Sequence, residues 1–96
     1  MQITYFVTYD ICDPERLRKV FVIMKGAGEH VQYSVFRCKL TDRAKEELTA
    51  DLLRVIHATE DQVLFIDLGP SEGHAATCVS ALGQPYEPPK RGPLIV

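Results

Sequence analysis

The chain has 96 residues, a length that fits one domain and leaves little room for a second. Apolar residues make up 46% and charged residues 25%, a globular balance that argues against a disordered chain. The formal net charge of −2 excludes a protein that is basic throughout, although three local basic groups stand out: Arg16/Arg18/Lys19, Arg37/Lys39 and Lys90/Arg91.

A domain this small buries only about 60–65% of its unfolded surface, so oligomerisation is a natural supplement. The three cysteines are odd in number and form no CxxC, which speaks against a zinc ribbon or a disulfide framework. No basic segment precedes an apolar stretch of signal-peptide length, and the longest purely apolar run is Val20–Met24. The expectation is a cytoplasmic chain with reduced thiols and no membrane partner.

Residues 2–11 alternate, with Ile3, Tyr5, Val7, Tyr9 and Ile11 on one face and Thr4, Phe6, Thr8 and Asp10 on the other. Period-2 alternation of β-branched and aromatic residues predicts a strand, with Asp10 ending it on the more polar face. Asp13-Pro14 then opens a helix, aspartate as N-cap and proline at the first position. Leu17, Val20, Phe21 and Met24 give that helix one apolar stripe, and Gly26 and Gly28 supply its stop. Arg16, Arg18 and Lys19 lie in its first turns, where the dipole favours anions; an approaching anion explains them better than the dipole does.

Residues 29–40 read as β, but the phase switches. Val31, Tyr33 and Val35 are apolar at odd positions, and Phe36, Cys38 and Leu40 continue at even ones. The chain needs a bulge or tight turn near Tyr33–Phe36, making either two short strands or one bent strand. Thr41 caps a second helix with an apolar face of Ala44, Leu48, Leu52, Val55 and Ile56, expected to end near His57-Ala58. Residues 62–68 form another strand, with Leu64, Ile66 and Leu68 on one face. Val63 and Phe65 on the other give the non-helical side an apolar area that a partner would cover. Gly69-Pro70 breaks this strand. Residues 71–83 are expected to make a short helix, and 84–92 an extended linker punctuated by Pro85, Pro88 and Pro89. The apolar Leu94-Ile95-Val96 suits strand addition to a neighbouring subunit.

The order β-α-β(β)-α-β plus a tail matches the ferredoxin-like split βαβ plan, an α+β sandwich with an extra C-terminal strand. It divides into residues 1–69, the ferredoxin-like domain, and 70–96, an extension docking on a partner. The fold by itself decides no function.

Asp10 is the first candidate for chemistry, because a carboxylate at a strand end can hold a hard cation such as Mg²⁺. One carboxylate makes a poor site; a two-fold dimer joined by the non-helical faces would bring two together. A loop aspartate capping local backbone remains the plainer alternative. His30, His57 and His74 show no metal-ligand spacing, and Ser34 has no partners that would activate it as a nucleophile. Neither GxGxxG nor a P-loop occurs.

Tyr9-Asp10-Ile11, the following Asp13…Arg16…Lys19, and Val31-Gln32-Tyr33-Ser34-Val35-Phe36 together resemble the second of the two universal CRISPR adaptation proteins, the small Cas endonuclease family. The likeness runs from residue 3 to about 68, and the Gln-x-Ser-Val-Phe segment is its specific part. The resemblance implies a homodimer in which Asp10 of each protomer holds Mg²⁺ or another divalent cation and acts in catalysis. It further implies association with the larger Cas integrase in spacer capture, and phosphodiester hydrolysis of RNA or double-stranded DNA. A non-catalytic dimeric scaffold that bridges integrase dimers on DNA is the alternative. Tyr9, Ser34 and Phe36 match the family's neighbours of the metal ligand, and Arg16 and Lys19 match basic positions of its first helix; with the neighbouring Arg18 they are the candidate nucleic-acid contacts. Leu17 stands where an arginine is frequent, and His30 where an arginine usually precedes the Val-Gln pair.

Overall fold

The computed structural model describes residues 1–86. The elements run β1 (Ile3–Asp10), α1 (Pro14–Ala27), β2 (Glu29–Gln32), β3 (Val35–Leu40), α2 (Asp42–Leu53) and β4 (Gln62–Pro70), followed by one 3₁₀ turn at His74–Ala76. The four strands form one antiparallel sheet in the order β2-β3-β1-β4. Both helices begin where their caps predict. Asp13 Oδ2 accepts the Arg16 N–H at 2.9 Å, and Thr41 Oγ1 accepts the Ala44 N–H at 3.1 Å.

The odd residues of β1 and the even residues of β3 meet the helices. Tyr5, Val7, Tyr9, Phe36, Cys38 and Leu40 are buried with Val20, Met24, Leu48 and Leu52 as one core. Each large side chain removed from water here stabilises the fold by about 1.5–3 kcal/mol before ordering costs. Val63 and Phe65 also pack on this core rather than on the open face expected of them, and the Phe65 ring meets Tyr5 edge-on at 5.9 Å. The β4 residues left exposed are Leu64 and Ile66. The difference is one of parity: pairing Tyr9 with Val63 and Val7 with Phe65 puts those residues on the same side as the buried odd positions of β1.

The phase break resolves into two strands. A register shift lies between His30 and Gln32, and the chain reverses through Tyr33-Ser34. Tyr33 takes φ +42°, the left-handed region, although it is neither Gly nor Asn. A second irregularity sits late in β4, where the register against β1 shifts between Ile3 and Tyr5. Gly69 supplies φ +90° there, and its N–H donates to Asp67 Oδ1 at 2.7 Å.

Two expected helical ends differ. Helix α2 stops at Leu53 rather than near His57. The Val55 N–H tightens onto the Leu52 carbonyl at 3.0 Å, and the His57 N–H is taken by Asp61 Oδ2 at 2.8 Å instead of continuing the ladder. Residues 71–83 do not form a helix beyond the 3₁₀ turn. That segment bonds to the sheet instead: the Ser71 N–H donates to the Gln2 carbonyl at 3.1 Å, and Ser71 Oγ meets Thr4 Oγ1 at 2.7 Å.

Through residue 86 the C-terminal extension therefore lies over part of its own sheet's non-helical face. Arg37, on that face of β3, is only 8% exposed. Its Nη2 donates to the Ala75 carbonyl at 2.9 Å and its Nη1 to the Tyr86 hydroxyl at 3.4 Å, while Nε has no partner among the described residues. A cleft of about 1,090 Å³ separates Phe6, Thr8 and Val35 from residues 79–86. The expected terminal strand, Leu94-Ile95-Val96, falls outside the described residues.

Candidate nucleic-acid and metal site

Strand β1 delivers two neighbouring side chains to opposite faces at its C-terminal end. Tyr9 points into the core and is 7% exposed; Asp10 points the other way and is exposed. The Asp10 carboxylate has no hydrogen bond or ion pair with any other described residue. It is not the backbone cap that a loop aspartate often becomes. No group of three or more His, Cys, Asp or Glu side chains able to hold a metal occurs among the described residues. One chain thus offers a single carboxylate, the low end of the one or two that Mg²⁺ commonly takes from protein.

The loop that follows is fixed from a distance. Asp61, at the end of the α2–β4 connection, has a fully covered side chain. Its Oδ1 accepts the Cys12 N–H at 2.9 Å, and its Oδ2 accepts both the His57 N–H and Arg16 Nε at 2.8 Å. Arg16 Nη2 also reaches Glu60 Oε1 at 3.1 Å. The Arg16 hydrogen bond, with the Cys12 and His57 N–H groups adding to it, holds the Asp61 carboxyl well below the usual carboxylate range despite its desolvation. The same bond pushes the Arg16 guanidinium up. Apart from the His57 N–H four residues back, the partners of Asp61 lie 45 and 49 residues away, where no local sequence signal reaches.

The expected contact residues separate into three groups. Arg16 is engaged by Asp61 and Glu60. Phe36 is fully buried and is core rather than a contact surface; it supports Tyr9, whose ring stacks on it at 6.3 Å, and Phe21, edge-on at 5.6 Å. Arg18, Lys19 and Ser34 remain reachable, while Tyr9, 7% exposed, only lines a pocket beside them. Arg18 is 72% exposed and only loosely paired with Glu15 at 3.8 Å, and Lys19 is exposed.

Tyr9 and Ser34 line a pocket of about 330 Å³ together with Pro14, Leu17, Arg18, Phe21 and Tyr33. Burial pushes the Tyr9 phenol up from its ordinary value, so it stays a neutral hydroxyl. Tyr33, part of the Val31–Phe36 motif but not among the expected contact residues, is 89% exposed and lines this pocket. The phase break locates the turn at this position, and a large ring at an exposed turn is the signal for a contact there.

A ferredoxin-like α+β sandwich with an open carboxylate at the end of its first strand and the exposed cations Arg18 and Lys19 on its first helix defines a class of small domains suited to phosphate-bearing partners. Within that class, the family described as "CRISPR associated protein Cas2" matches residues 2–73, and the chain belongs to it. It is 41% identical over 92 residues to the CRISPR-associated endoribonuclease Cas2 1 of Rhodospirillum rubrum, covering 96% of this chain and 89% of that protein. The fold is similar to a hypothetical protein of Thermus thermophilus, with a TM-score of 0.78, 30% identity, and coverage of 93% of this chain and all of that one. It is also similar to Streptococcus pyogenes Cas2, with a TM-score of 0.72, 30% identity, and coverage of 83% of this chain and 99% of that one. No helix among the described residues is long and apolar enough to cross a membrane.

Proposed function

We propose that this chain is a cytoplasmic, divalent-metal-dependent endonuclease of CRISPR adaptation that works as a homodimer alongside the Cas integrase. The observation that carries the reading is Asp10: an exposed carboxylate at a strand end, with no other described residue using it. The name of the Rhodospirillum rubrum relative, an endoribonuclease, supports the same reading.

A single Asp10 fits Mg²⁺ only as part of a donor set, so a second chain's Asp10 completes the site. That pairing suits a dimer joined through the open sheet face, where Leu64 and Ile66 are exposed. Held by Asp10, a divalent cation would supply Lewis-acid polarisation of a phosphoryl oxygen and a more acidic water. The chain's own residues position the phosphodiester, of RNA or double-stranded DNA. Arg18 and Lys19 offer charge to flanking phosphates, Ser34 a hydroxyl, and the Asp61 clamp keeps the loop after Asp10 from drifting.

Purified protein is assayed for cleavage of RNA and duplex DNA with Mg²⁺ and with chelator, beside Asp10→Ala. Cleavage should fall by about 100-fold or more in the variant, the scale of losing a main transition-state charge stabiliser. Activity that survives the substitution sinks the catalytic role. The alternative, a non-catalytic scaffold bridging integrase dimers, is favoured by the single carboxylate per chain. It would show salt-dependent duplex binding without cleavage.

A further inference from the structure

We propose that the pocket between α1 and the Tyr33-Ser34 turn receives one unpaired nucleobase of a single-stranded nucleic acid. This rests on the nuclease reading and specifies the form in which its substrate is held. Its volume of about 330 Å³ is at the small end of ligand sites, room for one heterocycle. A base still paired in a duplex cannot enter it.

The lining suits a flat ring. Pro14, Leu17 and Phe21 form an apolar wall, and Leu17 is 39% exposed although it lies on the helix's apolar stripe. Tyr9, 7% exposed and stacked on the buried Phe36, gives the pocket a fixed lining rather than a second stacking face.

Tyr33 gives the sharper argument. An aromatic ring that is 89% exposed gains little from packing, and its φ of +42° is costly for a side chain of that size. The turn is nevertheless pinned on both sides. The Tyr9 N–H donates to the Ser34 carbonyl at 3.1 Å, and His30 Nε2 lies 2.6 Å from the Tyr33 carbonyl. A carbonyl only accepts, so His30 carries its proton on Nε2 in this contact. The structure thus holds an aromatic ring in water, in a rare conformation, beside an apolar pocket. Stacking on a base gives that ring a use, and one that tolerates any sequence.

Charge selects the occupant. Arg18 lines the same pocket and its pairing with Glu15 is long, so a phosphate can compete for the guanidinium. A base attached to a phosphate satisfies both the rings and the cation, whereas an apolar peptide side chain satisfies only the rings.

The test uses the full chain in chelator, where no cleavage can occur, with a short single-stranded oligonucleotide carrying one 2-aminopurine. Stacking should quench the fluorophore. Tyr33→Ala should abolish the quench and weaken single-strand binding by about 10-fold, while Tyr33→Phe restores both and duplex affinity stays unchanged. Because Tyr33 is exposed, its loss leaves the core intact, which a thermal melt of each variant checks. Absence of quenching, or an equal loss of duplex and single-strand binding in Tyr33→Ala, overturns the proposal. Asp10→Ala should still quench. A pocket failure in this binding assay is thus distinct from a failure of the nuclease reading, which appears only in cleavage.

Discussion

Arg16 Nε and Asp61 Oδ2 lie 2.8 Å apart, joining the first turn of α1 to a connection 45 residues later. Through the Cys12 N–H, the same carboxylate holds the loop that leaves Asp10. A cation that the sequence led one to expect as a phosphate contact is thereby a structural tie.

Asp61→Asn should lower stability at neutral pH, and the loss should depend on pH. The folded-state pKa of Asp61 is depressed, so its contribution is fully present above the unfolded value of about 4 and fades as pH falls toward the folded one. Urea titrations of both proteins between pH 7 and pH 3 should show the gap between them narrowing only at the acid end. A gap that does not change with pH would exclude the ionised carboxylate as its source.

Phe36→Ala should cost about 3–5 kcal/mol, the scale for emptying a buried aromatic site, because the ring is fully enclosed against Tyr9, Phe21 and His30. Chemical denaturation measures it. A cost below about 1 kcal/mol would place Phe36 at a surface instead.

Tyr33→Gly should stabilise the free protein by about 0.5 kcal/mol. Relief of the left-handed backbone, worth about 1–2 kcal/mol, outweighs the added freedom of glycine in the unfolded chain, about 0.4–1 kcal/mol. Denaturant midpoints read the change directly. A gain in stability with a loss of single-strand binding would mark Tyr33 as kept for its ring.

The three thiols should react in the order Cys12, Cys78, Cys38. Cys12 is exposed, whereas burial pushes the Cys38 thiol up to about 11, with the Glu29 charge adding to the shift. A thiol-disulfide reagent at pH 8 should consume Cys38 only after denaturant is added. Prompt reaction of all three in the native protein would contradict the packing of β3.

Much of this architecture was readable from local pattern, because it is set locally. The alternation from Ile3 to Ile11 placed Tyr5, Val7 and Tyr9 in the core, and Asp13 and Thr41 cap the helices they were expected to cap. What escaped was set by contacts distant in the chain. Nothing near residue 61 announces a partner at Arg16, and nothing near Phe65 says which face of β4 meets Tyr5 until the β1–β4 register is known. The segment after Pro70 was read as helical from its own residues, but Thr4, Ser71 and Arg37 hold it to the sheet. Asp10 was visible as a candidate because a strand end needs no tertiary information to be located.

The cover that residues 71–86 place over Arg37 also bears on how fast two such chains could pair. Ala75 and Tyr86 grip the guanidinium from above the sheet, so a second chain approaching that face meets this segment before it meets the strands. Pairing over β3 would need the grip to open first, a step within one molecule, whereas pairing over the exposed Leu64 and Ile66 of β4 would not. Association over β3 would then stop rising with protein concentration once opening became slower than encounter, and Arg37→Met would lift that ceiling.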